Sequence, residues 1–213
     1  MSSATIQNCN AVLQETWEIS DNTTVTNVTI DCEVPTELTC VNLTEGLHLQ
    51  LTDTHFHCGA GGRGRRGINL NPGSNLTLTN TVISNCSGLS LSDPLSYVKA
   101  MGGGAIRALG WNTIVMENVT LGNNSALFGG AIFATENTTL ILRNTSIANN
   151  VGHMGGGIHM GDSTITFADC KISNNSADQG PGMYTYNSKV FINGTANSAE
   201  GIVVGSDSSV DIC

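Results

Sequence analysis

The feature that most constrains this chain is a repeat. Residues 112–134 read NTIVMENVTLGNNSALFGGAIFA, residues 138–160 read TTLILRNTSIANNVGHMGGGIHM, and residues 163–185 read STITFADCKISNNSADQGPGMYT. Asn118, Asn144 and Asp169 share one column, at offsets of 26 and 25 residues. Units of this length with so regular a pattern stack on one another, because no unit can bury its apolar face alone. Upstream, the column extends through Asn27, Asp53 and Asn80. The one irregular offset, 38 between Asn80 and Asn118, is a period plus 12 residues, and the Pro-containing segment Gly88–Lys99 accounts for it as a loop.

Apolar residues keep step with this column. Two positions before it stand Val25, Leu51, Leu78, Met116, Leu142 and Phe167, and three positions after it Ile30, Phe56, Ile83, Leu121, Ile147 and Ile172. Segments such as TLILRNTSI alternate apolar and polar residues and are rich in Thr, Val and Ile, as half-buried strands are. The pattern predicts an all-β chain, a right-handed single-stranded parallel β-helix of about seven coils of 25–27 residues. Residues 1–213 form one domain in this reading, and residues 1–20 supply an N-terminal cap or first coil. Within that cap Asn10–Trp17 (NAVLQETW) favours a short helix. Val210-Asp211-Ile212-Cys213 reads as a bare strand, so the chain is expected to belong to a longer protein or to associate through its last coil.

Asn in the corner columns can pass hydrogen bonds from coil to coil, as stacked Asn does in cross-β structures, and it tolerates the left-handed backbone of tight corners. The Gly pairs before Ile106 and Ile132 fit places where a Cβ would collide.

Two repeat halves carry a resemblance. Gly103-Gly104-Ala105-Ile106 and Gly129-Gly130-Ala131-Ile132 match GGA[I/L/V], and Ile83-Ser84-Asn85-Cys86, Leu121-Gly122-Asn123-Asn124, Ile147-Ala148-Asn149-Asn150 and Ile172-Ser173-Asn174-Asn175 stand where FxxN would, with Leu or Ile for Phe. In that order the pair resembles the repeat of chlamydial polymorphic membrane proteins, also found in protists and algae, over about residues 75–185. The resemblance implies a surface-exposed β-helical passenger acting in adhesion. Phe is missing from every FxxN position and no membrane-anchoring barrel follows Cys213.

Charge narrows the partners. The net charge is −9 with only 8 Lys and Arg, so no basic stripe exists to neutralise nucleic-acid phosphates. No run of 18 apolar residues is present for a transmembrane helix, and the first residues, MSSATIQNCN, lack the pattern of a signal peptide. Seven cysteines and eleven Asn-x-Ser/Thr sequons favour an extracellular or cell-surface location. Cys32 and Cys58 lie 26 residues apart, on stacked coils, where they either bridge or form part of a column of buried thiols.

Candidate sites are few. The residues after the inward Ile column, Arg107, Phe133, His159 and Tyr184, should line up outward on four consecutive coils, either as a contact surface for glycans or cell-surface proteins or as cover for the sheet. Arg63, Arg65 and Arg66 in GAGGRGRRG form the one basic cluster, an anion site or a solvated loop. His55 and His57 flank Phe56 on one strand face, as a metal pair without a third ligand or as surface histidines. No cofactor motif is legible. The carboxylates are scattered, with no Asp-Asp pair, which favours a non-catalytic adhesin-like or carbohydrate-contacting protein over a pectate-lyase-like polysaccharide lyase, hydrolase or epimerase.

Overall fold

The structure, a computed structural model, describes residues 3–35, 38–59, 65–88, 102–193, 198–199 and 201–212. Arg63 and, apart from Gly88, the insertion at Gly88–Lys99 lie outside the described residues. Among the described residues every regular element is a strand, and every strand pairing is parallel. The chain winds as a three-faced solenoid. The first face stacks five-residue strands such as Asn75–Thr79, Thr113–Glu117, Thr139–Arg143 and Thr164–Ala168. The second stacks three-residue strands such as Val82–Ser84, Thr120–Gly122 and Ser146–Ala148. The third is a separate eight-stranded sheet from Trp17–Ile19 to Ile202–Val204, containing Ile106–Leu109, Ile132–Thr135, Ile158–Gly161 and Met183–Tyr186.

The two predicted apolar columns are the interior of the first two faces. Val25 pairs with Leu51, Leu51 with Leu78, Leu78 with Met116, Met116 with Leu142 and Leu142 with Phe167, and all six are buried. Ile30, Phe56, Ile83, Leu121, Ile147 and Ile172 stack likewise. Fully burying such side chains stabilises by about 1.5–3 kcal/mol each.

The corner between the first two faces is the Asn/Asp column. Asn27, Asp53, Asn80, Asn118, Asn144 and Asp169 all have positive φ, from 45° to 55°. Side-chain amides pass along the exposed ladder, Asn80 to Asp53 (2.9 Å), Asn118 to Asn80 (3.0 Å) and Asn144 to Asn118 (2.6 Å). Asn27 donates to Asn8, 19 residues earlier, so one shorter coil precedes the regular array. That coil corrects the expected helical cap. Asn10–Leu13 lies within the strand Ser3–Leu13, paired along its length with Asn22–Cys32. Local helix propensity loses because the strand satisfies its backbone on the next coil and packs Ile6, Ala11 and Leu13 against the core.

A second, buried ladder lines the corner between the second and third faces. Asn150 Nδ2 donates to Leu121 O (3.1 Å) and Asn175 Oδ1 (2.9 Å), while its Oδ1 accepts from the backbone N–H (2.9 Å) and Nδ2 (3.1 Å) of Asn124. Replacing Asn150 with Leu should therefore cost roughly 2–3 kcal/mol, since it orphans buried backbone groups that no apolar side chain can satisfy. Chemical denaturation should show the midpoint falling with little change in slope, whereas replacing the exposed strand residue Thr120 with Leu should leave it nearly unchanged.

Candidate functional site

Alternation on the third face decides which side chains reach its outer surface. Ile106, Ile132, Ile158 and Met183 pair in one inward row, and the next position forms the row Arg107, Phe133, His159 and Tyr184, in register on four coils as expected. Pairing extends it upstream through Asn69, Asn42 and Glu18. The upstream half is a polar chain: Arg107 Nη1 donates to Asn69 Oδ1 (2.9 Å), Asn69 Nδ2 to Asn42 Oδ1 (2.8 Å) and Asn42 Nδ2 to Glu18 Oε2 (2.7 Å). The downstream half is a ring stack, with Phe133 and His159 centroids 5.3 Å apart at 17°, and His159 and Tyr184 5.3 Å apart at 16°.

Of the two readings of this row, contact surface or cover, its centre follows the second. Phe133 is 5% exposed and His159 6%. Gly102 lies flat against the Phe133 ring, so closely that a Cβ there would sit 2.1 Å from a ring carbon. Phe128 leans on both rings, at 6.4 Å from Phe133 and 5.2 Å from His159, and Tyr186 meets His159 edge-on at 5.9 Å. Phe133 and His159 are the floor of an aromatic cluster. Its accessible surface is Tyr184 and Tyr186, both half-buried, with Arg107 at one end.

The electrostatics follow from that cover. Burial pushes the His159 imidazole down to about 4, against an opposing hydrogen bond to the Met154 backbone, so the ring is neutral at neutral pH. Its Nδ1 is buried without a partner. The Tyr186 hydroxyl is pushed above its ordinary range, first by burial and then by the carboxylates of Asp162 and Glu136 and by Tyr184. Arg107 is lowered by burial, with Glu136 acting in the opposite direction. Glu136 and Asp162 are exposed corner residues with positive φ, one coil apart, and Asn187 Nδ2 donates to Asp162 Oδ1. Trp111 begins the same corner. It is 70% exposed with φ of 50°, an uncommon backbone for so bulky a side chain.

The face thus offers Tyr184 and Tyr186 as a platform, acidic groups along one edge and an exposed indole at the corner. Aromatic faces pack on the apolar faces of sugar rings, and carboxylates accept from hydroxyl groups. Tyr186 was legible, standing two residues after Tyr184 on the same side of the strand. Phe128, Glu136, Asp162 and Trp111 lie outside the strands, where no periodic signal points to them.

The basic cluster turns inward where it is described. Arg65 Nε donates to Val34 O (2.6 Å), and Arg66 is buried with Nε donating to Gly103 O (3.3 Å). Burial and the nearby Arg107 charge push Arg66 down to about 9. The two described arginines bind backbone carbonyls and do not form an open anion cradle. Outside the second face, His57 Nδ1 sits 3.2 Å from Ser84 Oγ and 3.0 Å from Asn85 Nδ2, while His55 is exposed.

The cysteines pair differently from the expected Cys32–Cys58 bridge. The bridges are Cys32–Cys40, with Cα atoms 5.9 Å apart, and Cys58–Cys86, at 4.8 Å. Cys32 and Cys58 do meet, in one interior corner, but Cys58 is engaged by Cys86 on the following coil. Cys40, on the third face, turns back into the same corner and takes Cys32. Cys9 and Cys170 belong to neither of these two bridges.

The family model for the right handed beta helix region matches residues 2–212. No curated protein matches the chain. Among solved structures it is similar to a trypsin-treated form of QnrB1, a plasmid-mediated fluoroquinolone resistance protein, at 10% identity and a TM-score of 0.30, over 96% of this chain and 92% of that one. A likeness that weak carries no argument about function.

Proposed function

We propose that this chain, which belongs to the right-handed β-helix family over residues 2–212, is a non-catalytic, adhesin-like solenoid of the cell surface or the secreted space that contacts carbohydrate through its third face. The observation that carries this reading is the aromatic cluster. In a chain with only 5 Phe, 3 Tyr and 2 Trp, four of these ten, Phe128, Phe133, Tyr184 and Tyr186, gather with His159 on one outer face. A solenoid needs no such cluster to close its core, which lies on the opposite side of the same strands. The resemblance of the Gly-Gly-Ala-Ile and Ile/Leu-x-x-Asn repeats to those of chlamydial polymorphic membrane proteins supports the adhesive role. Two buried disulfides and eleven sequons support an oxidising, glycosylating route.

The test separates platform from floor. Replacing Tyr184 and Tyr186 together with Ser should weaken binding on a glycan array by about 10- to 100-fold, since stacked aromatic anchors dominate such contacts. The melting temperature should fall by only a few degrees, because both rings are already partly wet. Unchanged glycan binding in the folded double variant would refute the proposal. The same preparation should be offered acidic polysaccharides, where the Glu136 and Asp162 edge gives the enzyme alternative its chance. Chain cleavage or epimerisation there would replace the adhesin reading.

A further inference from the structure

Three sulfurs meet at the corner where the second face turns into the third, and a fourth adjoins them through a disulfide. Cys32, Cys58 and Cys86 occupy the interior column that Asn124, Asn150 and Asn175 continue on later coils, and the junction is direct, with the Cys86 N–H donating to Asn124 Oδ1 (3.0 Å). Cys40 enters the corner from the third face. All four are at most 1% exposed. The sulfurs of Cys32, Cys40 and Cys58 lie within 4.8 Å of one another. Cys40 Sγ and Cys58 Sγ, which belong to different bridges, are 3.8 Å apart. Cys86 is bonded to Cys58 and so brings the fourth sulfur alongside. In a tetrahedral zinc thiolate the metal–sulfur bond of about 2.3 Å sets neighbouring sulfurs about 3.8 Å apart. Opening both bridges leaves Cys32, Cys40 and Cys58 near that spacing, and Cys86, released beside Cys58, has to turn in to complete the set.

We propose that, with both disulfides reduced, Cys32, Cys40, Cys58 and Cys86 bind one Zn²⁺ ion, so that this corner is cross-linked by disulfides in an oxidising compartment and by metal in a reducing one. The inference rests on the corner alone and stands or falls independently of the carbohydrate reading. The spacing Cys32, Cys40, Cys58, Cys86 contains no C-x2-C pair, so the site is made by stacking coils and is invisible to a motif search.

The chemistry balances. A phosphine reduces each bridge by giving it two electrons, becoming the phosphine oxide with an oxygen from water, and two thiols result. Two phosphines thus give four thiols. Zn²⁺ binding then releases the four thiol protons and leaves four zinc–sulfur bonds. Reversal needs an oxidant that removes four electrons, and it expels the ion. The fold gives the reduced corner a reason to take metal. Without a cross-link neither pair is tied, whereas one ion would hold Cys32 to Cys40 and Cys58 to Cys86 as the two bridges had, and would join the pairs as well. Arg65 and Arg66 directly precede Gly67, whose backbone lies so close beneath Cys86 that a Cβ there would be 3.2 Å from Sγ. The Arg65 guanidinium reaches the same corner, its Nη1 3.2 Å from where a Cβ on Gly59, the residue after Cys58, would sit, and positive charge there favours thiolates.

The experiment uses the full chain, treated with a phosphine, cleared of metal and titrated with Co²⁺ and then Zn²⁺. Expected is uptake of one ion per chain, with the strong visible bands and near-ultraviolet charge transfer of tetrahedral cobalt thiolate, bleached by Zn²⁺. The unreduced protein should take up none. The variant Cys58→Ser should lose the tetrahedral spectrum, and a triple variant with Cys9, Cys170 and Cys213 replaced by Ser should keep it. If reduction alone loosens the fold, Zn²⁺ should restore the β-sheet circular dichroism. A reduced, folded chain that takes up no ion would overturn the proposal. So would a pale octahedral spectrum, uptake that follows the other three cysteines, or loss of structure that zinc does not reverse.

Discussion

Replacing Gly129 with Ala should lower the melting temperature by about 10 °C. Gly129 has φ of 60°, and a Cβ built there lies 1.8 Å from Ile132 O, 2.5 Å from its carbonyl carbon and 2.9 Å from His159 N. Every one of these atoms is backbone held in parallel pairing, since Ile132 is bonded to both Ile106 and Ile158, and the Gly129 N–H itself donates to Met154 O (3.0 Å). Nothing can step aside. An L-residue in the left-handed region costs about 1–2 kcal/mol, and forcing an extra methyl into packed backbone about 1–3 more. For a chain of this size roughly 3–4 kcal/mol corresponds to that shift in melting temperature. Because a solenoid can open locally, hydrogen exchange should rise first in the strands flanking Gly129. The control is Gly122→Ala, where the nearest atom to a new Cβ is 3.7 Å away, and the melting temperature should hardly move. A mild Gly129→Ala would mean that the turn can be rebuilt without glycine.

The same turn explains why the fold was readable. Its first position is Gly103, Gly129, Gly155 and Gly180 on four coils, all with positive φ and a Cβ path blocked by the carbonyl three residues on. The second position tolerates Pro181, and the third is Ala105, Ala131, Gly157 or Gly182. A constraint imposed by coil geometry recurs once per coil, so it prints itself on the sequence at the repeat length. The Asn corners and the two apolar columns are legible for the same reason. What does not recur is not legible. The first coil, 19 residues from Asn8 to Asn27, falls short of the period, and its strand was masked by the local helix preference of NAVLQETW. The sequence left the Arg107–Tyr184 row open between contact surface and cover because the groups that cover its centre, Gly102 and Phe128, lie between strands. Cys40 gives no hint of its partner, for it belongs to a different face from the Cys32, Cys58 and Cys86 column.

Acid should weaken this protein through one buried ring. His159 has its pKa lowered from 6.5 to about 4, chiefly by burial under Phe128, Tyr186 and its stacking partners. A depressed histidine favours folding fully above the unfolded value. As pH falls below 6.5 the unfolded chain gains a proton that the folded ring refuses, until pH reaches about 4. Over that window the folded state should lose about 3 kcal/mol relative to a chain without the histidine, at 1.36 kcal/mol per unit. The variant His159→Phe removes the titration and continues the stack from Phe133 to Tyr184, with ring centroids now 5.3 Å on either side. At neutral pH it should match the wild type within about 1–2 kcal/mol, since it loses the hydrogen bond to the Met154 backbone, whose carbonyl keeps the Gly129 N–H, and also removes the unpartnered buried Nδ1. Plotted against pH, the wild-type melting temperature should fall below that of His159→Phe by about 10 °C on reaching pH 4, the shift that this loss of stability implies for a chain of this length. Carboxylates elsewhere titrate in both proteins and cancel in the difference. Parallel acid limbs would place a proton on the folded ring, through its unpartnered Nδ1, and would mean that water reaches the centre of the cluster, which is the condition under which the floor itself becomes part of the contact surface.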